Sequence, residues 1–296
     1  MRIRERQTDL LVYLLIRALV WLPCWFFRII LSVSAYLLTV NNTPARKSIR
    51  YNLNLAFPKI PAATKRRLTQ KIIYQNGLLV YESGSLNRRW VQNNVDAKGL
   101  SHLEEALMKG RGVVALSAHL GNFALLLSYL SRRYPVKAVV NDPKNPYLAG
   151  YIREIRKKAG IIEIPKKPAT AAVQESLNWL KSGKILLLLA DEYRKKGITI
   201  PFFGIPSGTQ TAPAVFARRL GCAVVPISVV RRGKKHLIRV EPALKMSRSE
   251  DQEKDIRDNT ARCNSVIERW VREDPAEWFG WFGKRFLPAK CRGSIH

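Results

Sequence analysis

Acidic residues are scarce in this chain, and that scarcity narrows its possible partners. Of 296 residues, 22 are Asp or Glu, whereas 51 are Lys or Arg, and the formal net charge is +29. An excess of this size implies a polyanionic partner, which could be nucleic acid, an anionic membrane surface or an acidic substrate. The length suffices for one large α/β domain with a full core, or at most two domains.

Several motifs that identify common enzyme classes are absent. The chain has no Gly-x-Ser-x-Gly elbow, no Walker loop and no Gly-x-Gly-x-x-Gly sequence, so nothing supports the hydrolase and nucleotide-binding classes that these motifs mark. The four cysteines, Cys24, Cys222, Cys263 and Cys291, are scattered, without a Cys-x-x-Cys pair or a His/Cys cluster. This pattern argues against a zinc site or a disulfide framework and fits a reducing compartment.

No uninterrupted apolar run is long enough for a simple transmembrane helix. Leu10–Leu38 is mostly apolar, but Arg17 and Arg28 interrupt it, and Pro23 divides it into halves shorter than the ~20 residues that a spanning helix needs. Basic residues on both sides give no clear orientation. One tilted helix could still span, and a buried core helix is another interpretation. We expect instead a broken helix in one leaflet, which makes residues 1–40 a membrane-associated segment.

The most informative stretch is Arg111–Leu127. Its apolar run, Gly112–Ala118, predicts a buried strand that ends at His119, and an apolar helix follows from Phe123. Open α/β sheets place their chemistry at this point, after the carboxyl end of a strand, and a helix start offers unpaired N–H groups to a developing negative charge. The histidine is therefore either a general base near neutral pH or a core or capping residue.

Alternating apolar runs and helical patterns predict the rest of the fold. The predicted strands are Val136–Val140, Ile185–Ala190, Ala223–Val230 and His236–Val240; the predicted helices are Thr64–Ser83, Asn145–Ala159, Ala169–Leu180, Thr211–Leu220 and Asp251–Arg272. Strands that alternate with helices are typical of an α/β fold with a mostly parallel central sheet flanked by helices. We expect residues 41–296 to form this single domain. The stretch Asn41–Lys65 is polar and proline-punctuated, and no helix or strand is predicted in it before the helix that starts at Thr64.

Three blocks resemble the late acyltransferases of lipid A biosynthesis, the lauroyl and myristoyl transferases of Gram-negative envelopes. His-x-Gly-Asn-Phe, at His119–Phe123, resembles their His-x-Gly-Asn-Trp-Glu, a version of the His-x-x-x-x-Asp/Glu motif of glycerolipid acyltransferases. Asn52–Pro58 is similar to their Asn-Leu-x-x-x-Phe-Pro signature, and Pro201–Gly204 to their Pro-Phe-Phe-Gly block. The resemblance extends from about Arg17 to Phe286. It implies a glycerolipid-acyltransferase-like fold and direct acyl transfer, with His119 as general base.

One position departs from the family pattern. The motif acid falls at position 124, where this chain has Ala124. The alanine could be an engineered replacement, another acid (Asp191 or Glu192) could take its role, or the protein could be a natural binding module that has lost catalysis. We favour the first account, which predicts an inactive or impaired chain. Asp191 ends a predicted strand at the place of the family's Asp-Gln and is either a catalytic residue or a plain cap.

The resemblance also implies binding roles around these motifs. N–H groups near Gly121 and Asn122, or a nearby cation, would stabilise the oxyanion of acyl transfer. Arg156, in an Arg-x-x-x-Gly context similar to the family's, would contact a phosphate or a carrier protein, unless it belongs to a solvated basic face. Phe202 and Phe203 would line an apolar cleft, or simply pack beneath their loop.

Three more residues are candidates for the same site. In the C-terminal tail, Arg285 is a candidate anion contact, and Trp278 would help to close the cleft. Near the end of a predicted helix, Glu82 is either a site acid or, more commonly for a glutamate, solvated or salt-bridged. No metal ligands are predicted.

The implied partners follow from the family. The donor would be an acyl carrier protein or coenzyme A thioester, and the acceptor a glycolipid such as a lipid A precursor, with membrane lipids around it and no cofactor. We expect a monomer in the bacterial inner membrane, with the catalytic domain facing the cytoplasm. The alternative is a non-catalytic lipid-binding or scaffold protein of the same fold. No nucleic acid is expected as a partner, because no aromatic–basic RNA-binding motif occurs.

Overall fold

A seven-stranded sheet forms the centre of the molecule. The computed structural model describes residues 3–84, 86–283 and 285–286. The strands in these ranges are β1 (Val95–Lys98), β2 (Val113–Ser117), β3 (Val136–Val140), β4 (Ile162–Pro165), β5 (Ile185–Leu189), β6 (Tyr193–Phe202), β7 (Ile205–Thr209), β8 (Ala223–Arg232) and β9 (Lys235–Val240). The sheet order is β1-β9-β8-β2-β5-β3-β4, and only β8 and β9 pair antiparallel. β6 and β7 form a separate antiparallel hairpin.

Helices cover both faces of this sheet. They are α1 (Ile3–Trp21), α2 (Cys24–Val40), α3 (Pro44–Ala56), α4 (Ala62–Ser83), α5 (Arg88–Asn94), α6 (Leu100–Met108), α7 (Phe123–Ser131), α8 (Pro146–Lys158), α9 (Ala169–Lys181), α10 (Ala212–Leu220) and α11 (Gln252–Glu273). Two short 3-10 helices, Pro275–Glu277 and Phe279–Phe282, follow α11. The predicted α/β class, with a mostly parallel sheet between helices, is confirmed.

The central strand β2 explains why both faces must be covered. Val113 and Ala115 belong to one hydrophobic cluster, and Val114 and Leu116 belong to another. Because successive strand residues point to opposite faces, an entirely apolar strand is stable only with a core on each side. α6 and α7 contribute to the first cluster, and α9, α10 and α11 to the second.

The N-terminal segment is a broken helix, as predicted. The chain breaks at Pro23 between α1 and α2, and α2 packs against α4. Large apolar side chains remain exposed on both N-terminal helices: Leu11, Leu14, Leu15, Trp21, Trp25, Phe26, Ile29, Val33, Tyr36 and Leu37. No single described helix meets the length and hydropathy expected of a bilayer span; α2 and α3 meet them only as a pair, bent by 71°.

One helix lies where no regular element is predicted. α3 begins after Thr43, whose hydroxyl accepts a hydrogen bond from the Arg46 N–H at 3.2 Å, with Pro44 in its first turn. Ile49 and Leu53, four residues apart, are fully buried. The stretch looks polar because only this one narrow side of the helix is apolar.

Candidate active site

His119 and Asp191 meet at one edge of the sheet. β2 and β5 are parallel neighbours with Ser117 opposite Leu189, so the residues that follow both strands lie at the same edge. His119 Nδ1 lies 2.8 Å from Asp191 Oδ1, and the backbone N–H of His119 donates to the same oxygen at 3.1 Å. Asp191 is 2% exposed. Of the two acids proposed to replace the one missing at position 124, Asp191 is thus the one that contacts the imidazole.

The C-terminal tail completes this hydrogen-bond chain. Trp278, which is fully buried, donates from Nε1 to Asp191 Oδ2 at 2.8 Å. The tail also runs beside the histidine loop: the Phe279 N–H donates to the His119 carbonyl, and the Gly121 N–H donates to the Glu277 carbonyl. The sequence predicted that Trp278 would lie near the cleft, but it did not predict the hydrogen bond to Asp191, because that bond depends on how the C-terminal tail folds back.

The electrostatics of the pair suit a base. Burial disfavours a charged imidazole, but the charge of Asp191 and its hydrogen bond outweigh that effect and raise the pKa of His119. Burial alone would raise the pKa of Asp191, yet His119 and the hydrogen bond from Trp278 hold it below its ordinary value. Because an ionised carboxylate only accepts hydrogen bonds, Nδ1 carries the hydrogen, and Nε2 is the nitrogen available to a substrate proton.

A cavity of about 370 Å³ opens beside His119. Its polar lining includes Arg156, Lys166, Glu192, Arg194 and Gln210; its apolar lining includes Phe123, Val139, Ala172, Val173, Leu188 and Phe216. Lys166 Nζ lies 3.2 Å from Glu192 Oε2. A cavity lined by both apolar side chains and cations, with the histidine among them, can accept an alkyl chain that carries an anionic or polar group. Among the described residues, no group of three or more His, Cys, Asp or Glu could hold a metal ion.

Position 124 lies outside this arrangement. Ala124 is in the first turn of α7 and packs, partly buried, against one of the two core clusters. The residue at the expected acid position therefore contributes packing, and the contact with the Nδ1 of His119 comes from Asp191, which follows the carboxyl end of β5.

Gly121 and Asn122 shape the loop rather than line the cavity. Gly121 has φ +54°, and a Cβ there would lie 2.2 Å from the Val229 carbonyl oxygen, so only glycine fits. Its N–H already donates to the Glu277 carbonyl, so an oxyanion at this group would have to compete with that hydrogen bond. Asn122 is 1% exposed, and its Oδ1 accepts from the Leu125 N–H at 3.0 Å as the N-cap of α7.

Glu82 links that cap to a buried polar cluster. Its Oε2 accepts hydrogen bonds from Asn122 Nδ2 at 3.2 Å and Arg231 Nη2 at 2.7 Å, and lies 3.1 Å from His236 Nε2. Burial opposes its charge, but these hydrogen bonds and the charge of Arg231 lower the pKa of Glu82 to about 2. Of the two interpretations of Glu82, a site acid or a salt-bridged residue, the structure therefore supports the salt-bridged one. Glu82 supports the histidine loop indirectly, through its hydrogen bond with Asn122. Burial also raises the pKa of nearby Glu277 to about 7.

The structure separates three further candidates from the cavity. Phe202 and Phe203 are buried in an aromatic cluster with Trp278 and Phe286, which matches the packing interpretation rather than a cleft lining. Arg285 is 2% exposed and donates to the Gly208 carbonyl, Thr209 Oγ1 and Asn264 Oδ1. Burial lowers the pKa of Arg285 to about 10. Arg285, which was predicted to contact an anion, is therefore a buried side chain whose hydrogen bonds connect the C-terminal tail to the β6–β7 hairpin and to α11.

Arg156 does reach the cavity, but with its charge already paired. The side chain of this arginine lines the cavity wall. It forms ion pairs with Asp142 and, at 2.5 Å, with Glu163. The predicted contact with a phosphate or carrier protein would therefore compete with two carboxylates.

Comparison with known proteins gives a consistent set of relatives. The sequence model described as bacterial lipid A biosynthesis acyltransferase matches residues 1–288. The chain is 25% identical over 252 residues to the lipid A biosynthesis palmitoleoyltransferase of Escherichia coli K12, covering 81% of this chain and 78% of that protein. It is 21% identical over 249 residues to the lipid A biosynthesis lauroyltransferase of the same strain, with 81% and 78% coverage.

Two further similarities extend beyond lipid A enzymes. A phosphatidylinositol mannoside acyltransferase of Mycobacterium tuberculosis H37Rv is 24% identical over 210 residues, covering 67% of this chain and 63% of that protein. Among solved structures, the 1-acyl-sn-glycerophosphate acyltransferase PlsC of Thermotoga maritima aligns with a TM-score of 0.38 at 19% identity, covering 85% of this chain and 97% of that chain.

Proposed function

The chain belongs to the bacterial lipid A biosynthesis acyltransferase family, and from this premise we propose that it moves a fatty acyl chain from a thioester to a hydroxyl of a glycolipid, with His119 as general base. The observation that carries the proposal is the hydrogen-bond chain from Trp278 through Asp191 to His119, which lines a cavity together with apolar side chains. A buried carboxylate behind an accessible imidazole is the arrangement that general-base catalysis uses.

The reaction needs no covalent enzyme intermediate. His119 Nε2 takes the proton of the acceptor hydroxyl as its oxygen attacks the thioester carbonyl. When the tetrahedral intermediate collapses, the new C–O ester bond remains, the C–S bond breaks, and the leaving thiolate takes the proton from the imidazolium. Asp191 stays ionised and stabilises that imidazolium. Lys166 and Arg194, which line the cavity with His119, are the proposed cations for the oxyanion.

Asp191 also bears on the question of Ala124. Because its carboxylate already holds Nδ1, the geometry favours the account in which another acid has the role of the missing motif residue. On this account the chain is active with alanine at position 124. The competing prediction is that Ala124 makes the chain inactive. If the alanine is natural, that prediction describes a non-catalytic lipid-binding protein of the same fold.

The proposed acceptor follows from the names of the relatives. The relatives' names refer to lipid A biosynthesis and to phosphatidylinositol mannoside. Lipid A and phosphatidylinositol mannosides are both phosphorylated glycolipids, so we assign the acceptor to this class. The donor is an acyl carrier protein or coenzyme A thioester.

We further propose that residues 1–40 hold the enzyme on the cytoplasmic face of the inner membrane. Their exposed leucines and aromatic residues would enter the headgroup and acyl boundary without crossing the bilayer.

The test is a transfer assay with the full chain in detergent. Each thioester donor is combined with a phosphorylated lipid A precursor or a phosphatidylinositol mannoside, and acylated product is followed by mass. We expect product from the wild type with one donor and one acceptor class, and none above background from His119→Ala. No product with any pair, while glycolipid still binds, would contradict the catalytic proposal and support the binding protein.

A further inference from the structure

The N-terminal quarter of the chain is basic in an unusually one-sided way. Between Leu10 and Tyr81 the sequence contains ten Lys and Arg and no Asp or Glu. No acidic residue within this stretch can therefore neutralise its positive charge. Arg156 at the catalytic cavity differs, because it pairs with Asp142 and Glu163. Uncompensated cations attract anions more strongly than paired ones do.

Four of these cations surround one recess. A cavity of about 600 Å³ lies where the end of α2 meets the first turns of α3 and α4, and it is lined by Arg46, Arg50, Arg66 and Arg67. No carboxylate lines it, and in the part of the chain that the structure describes none of the four arginines forms an ion pair. We call this cavity the arginine recess. Guanidinium groups bind phosphate oxygens in a bidentate manner, which suits a phosphate ligand.

The recess is the end point of an exposed apolar stripe. Trp25, Ile29, Val33 and Tyr36 are each more than half exposed and recur every three or four residues along α2, so they share one side of the helix. Tyr36 also lines the arginine recess, as does Val40 in the last turn. Apolar surface that leads directly to a cluster of cations matches a ligand with hydrocarbon chains and an anionic headgroup.

We propose that the arginine recess binds the phosphate of an anionic lipid whose acyl chains lie along α2. This site is separate from the catalytic cavity, since the two share no lining residue. The proposal rests on the bilayer contact of α2 proposed above, but not on acyl transfer. Its consequence is that the recess, rather than the overall charge of +29, determines the preference for anionic membranes.

A flotation assay with the full chain tests this site. Vesicles consist of phosphatidylcholine alone, phosphatidylcholine with phosphatidylglycerol, or phosphatidylcholine with a phosphorylated lipid A precursor. The test variant is Arg50→Gln/Arg66→Gln/Arg67→Gln, which changes three exposed side chains. The matched control removes the same charge at exposed positions before β2 and β5, away from the recess: Lys109→Gln/Arg111→Gln/Lys181→Gln.

The expected result is selective. Each basic side chain near an anionic surface contributes severalfold to binding, so the test variant should bind anionic vesicles at least about tenfold more weakly than the wild type. Binding to phosphatidylcholine alone should persist, and the control variant should lose less than about threefold. Loss confined to the phosphatidylglycerol vesicles identifies a bilayer phospholipid as the ligand, and loss confined to the precursor vesicles identifies the acceptor. Equal losses in the test and control variants, or no loss, would overturn the proposal.

A charge-preserving variant separates a site from diffuse charge. Arg50→Lys/Arg66→Lys/Arg67→Lys keeps every positive charge but removes bidentate geometry. We expect anionic binding intermediate between those of the wild type and the glutamine variant, and full retention would overturn the claim of a phosphate site. His119→Ala should bind vesicles like the wild type, so failure of the acyl-transfer proposal and failure of this one remain distinguishable.

Discussion

Of the histidines in the part of the chain that the structure describes, His119 and His236 contact buried carboxylates; His119 lines a cavity, whereas His236 is buried. His119 Nδ1 lies 2.8 Å from Asp191, and His236 Nε2 lies 3.1 Å from Glu82. The side chain of His119 is 22% exposed, whereas that of His236 is 1% exposed. A histidine–carboxylate contact therefore does not by itself mark a catalytic base; the imidazole must also be open to a substrate.

The two carboxylates differ as well in how their charge is balanced. Glu82 accepts a hydrogen bond from the guanidinium of Arg231, so a permanent cation already compensates it. Asp191 accepts from the neutral indole of Trp278 and from His119. Its charge is thus available to stabilise an imidazolium that forms during the reaction. The pair of Glu82 and His236 therefore suits a structural role, whereas the pair of Asp191 and His119 suits the proton transfer proposed above.

The largest effect should come from removing the charge of Asp191. Asp191→Asn keeps the side chain's size but loses the charge and can no longer hold Nδ1–H as an ionised acceptor. We expect kcat to fall by about 10³–10⁴, as in serine triads, with little change in melting temperature. A fall of less than about tenfold would contradict the role of Asp191.

The converse variant, Glu82→Gln, should damage stability more than rate. It leaves the buried guanidinium of Arg231 without its counter-charge, which costs about 3 kcal/mol in the free energy of unfolding. We expect kcat at saturating substrate within about tenfold of the wild type, because Glu82 bonds to Asn122 in the histidine loop and not to His119 or Asp191 among the described hydrogen bonds. Denaturant unfolding and transfer kinetics on the same preparation measure both quantities.

Acid titration sharpens this result. The pKa of Glu82 is held at about 2, below its ordinary 4.5, so its stabilisation is complete above pH 4.5 and is lost as the pH falls towards 2. Glu82→Gln should lack this part of the acid dependence. An unchanged acid profile would contradict the compensated-charge account.

Substitutions at two tryptophans test the hydrogen bond that Trp278 donates to Asp191. Trp278→Phe removes the hydrogen bond to Oδ2, and we expect kcat to fall by about tenfold as the carboxylate loses a donor. Trp281→Phe is the matched control, since Trp281 is equally buried but donates to the Pro275 carbonyl. Both should lose about 1–3 kcal/mol of stability. Equal kcat values in the two variants would show that the hydrogen bond between Trp278 and Asp191 does not contribute to catalysis.

The pH dependence of kcat/KM gives a smaller but directional effect. Burial lowers the pKa of His119, and Asp191 more than offsets this, so the pKa lies above its ordinary value of 6.5. A base must be neutral, so the rate should rise with pH through that raised pKa. Asp191→Asn removes the largest influence that raises the pKa of His119 and leaves the burial that lowers it, so the rising limb of the residual activity should move to lower pH. A limb that stays in place would point to another titrating group.

The smallest effect is expected at the position where the family has its acid. Ala124→Glu should change kcat by less than about threefold, because Asp191 already occupies Nδ1. A tenfold or larger gain would instead mean that Ala124 disables the chain, in agreement with the competing prediction made from the motif.

Local patterns predicted much of the fold because each element shows its burial in its own residues. The apolar run before His119 predicted β2, the bounds of β3 agree with the prediction, and the break at Pro23 lies where expected. Elements with weaker patterns were missed. α3 buries only a narrow stripe, and the β6–β7 hairpin places much of its surface outside the core.

The sequence by itself determined the strand–histidine–helix unit, because an apolar run, Gly121 and the Asn122 cap are all adjacent in the chain. It also named Asp191 as one of several possible acids. Only the tertiary structure decided among them: Asp191 is 72 residues from His119, and Trp278 comes from the far end of the chain. The register of β2 against β5 and the return of the tail bring these groups together, and such long-range pairing depends on the whole core rather than on local residue order.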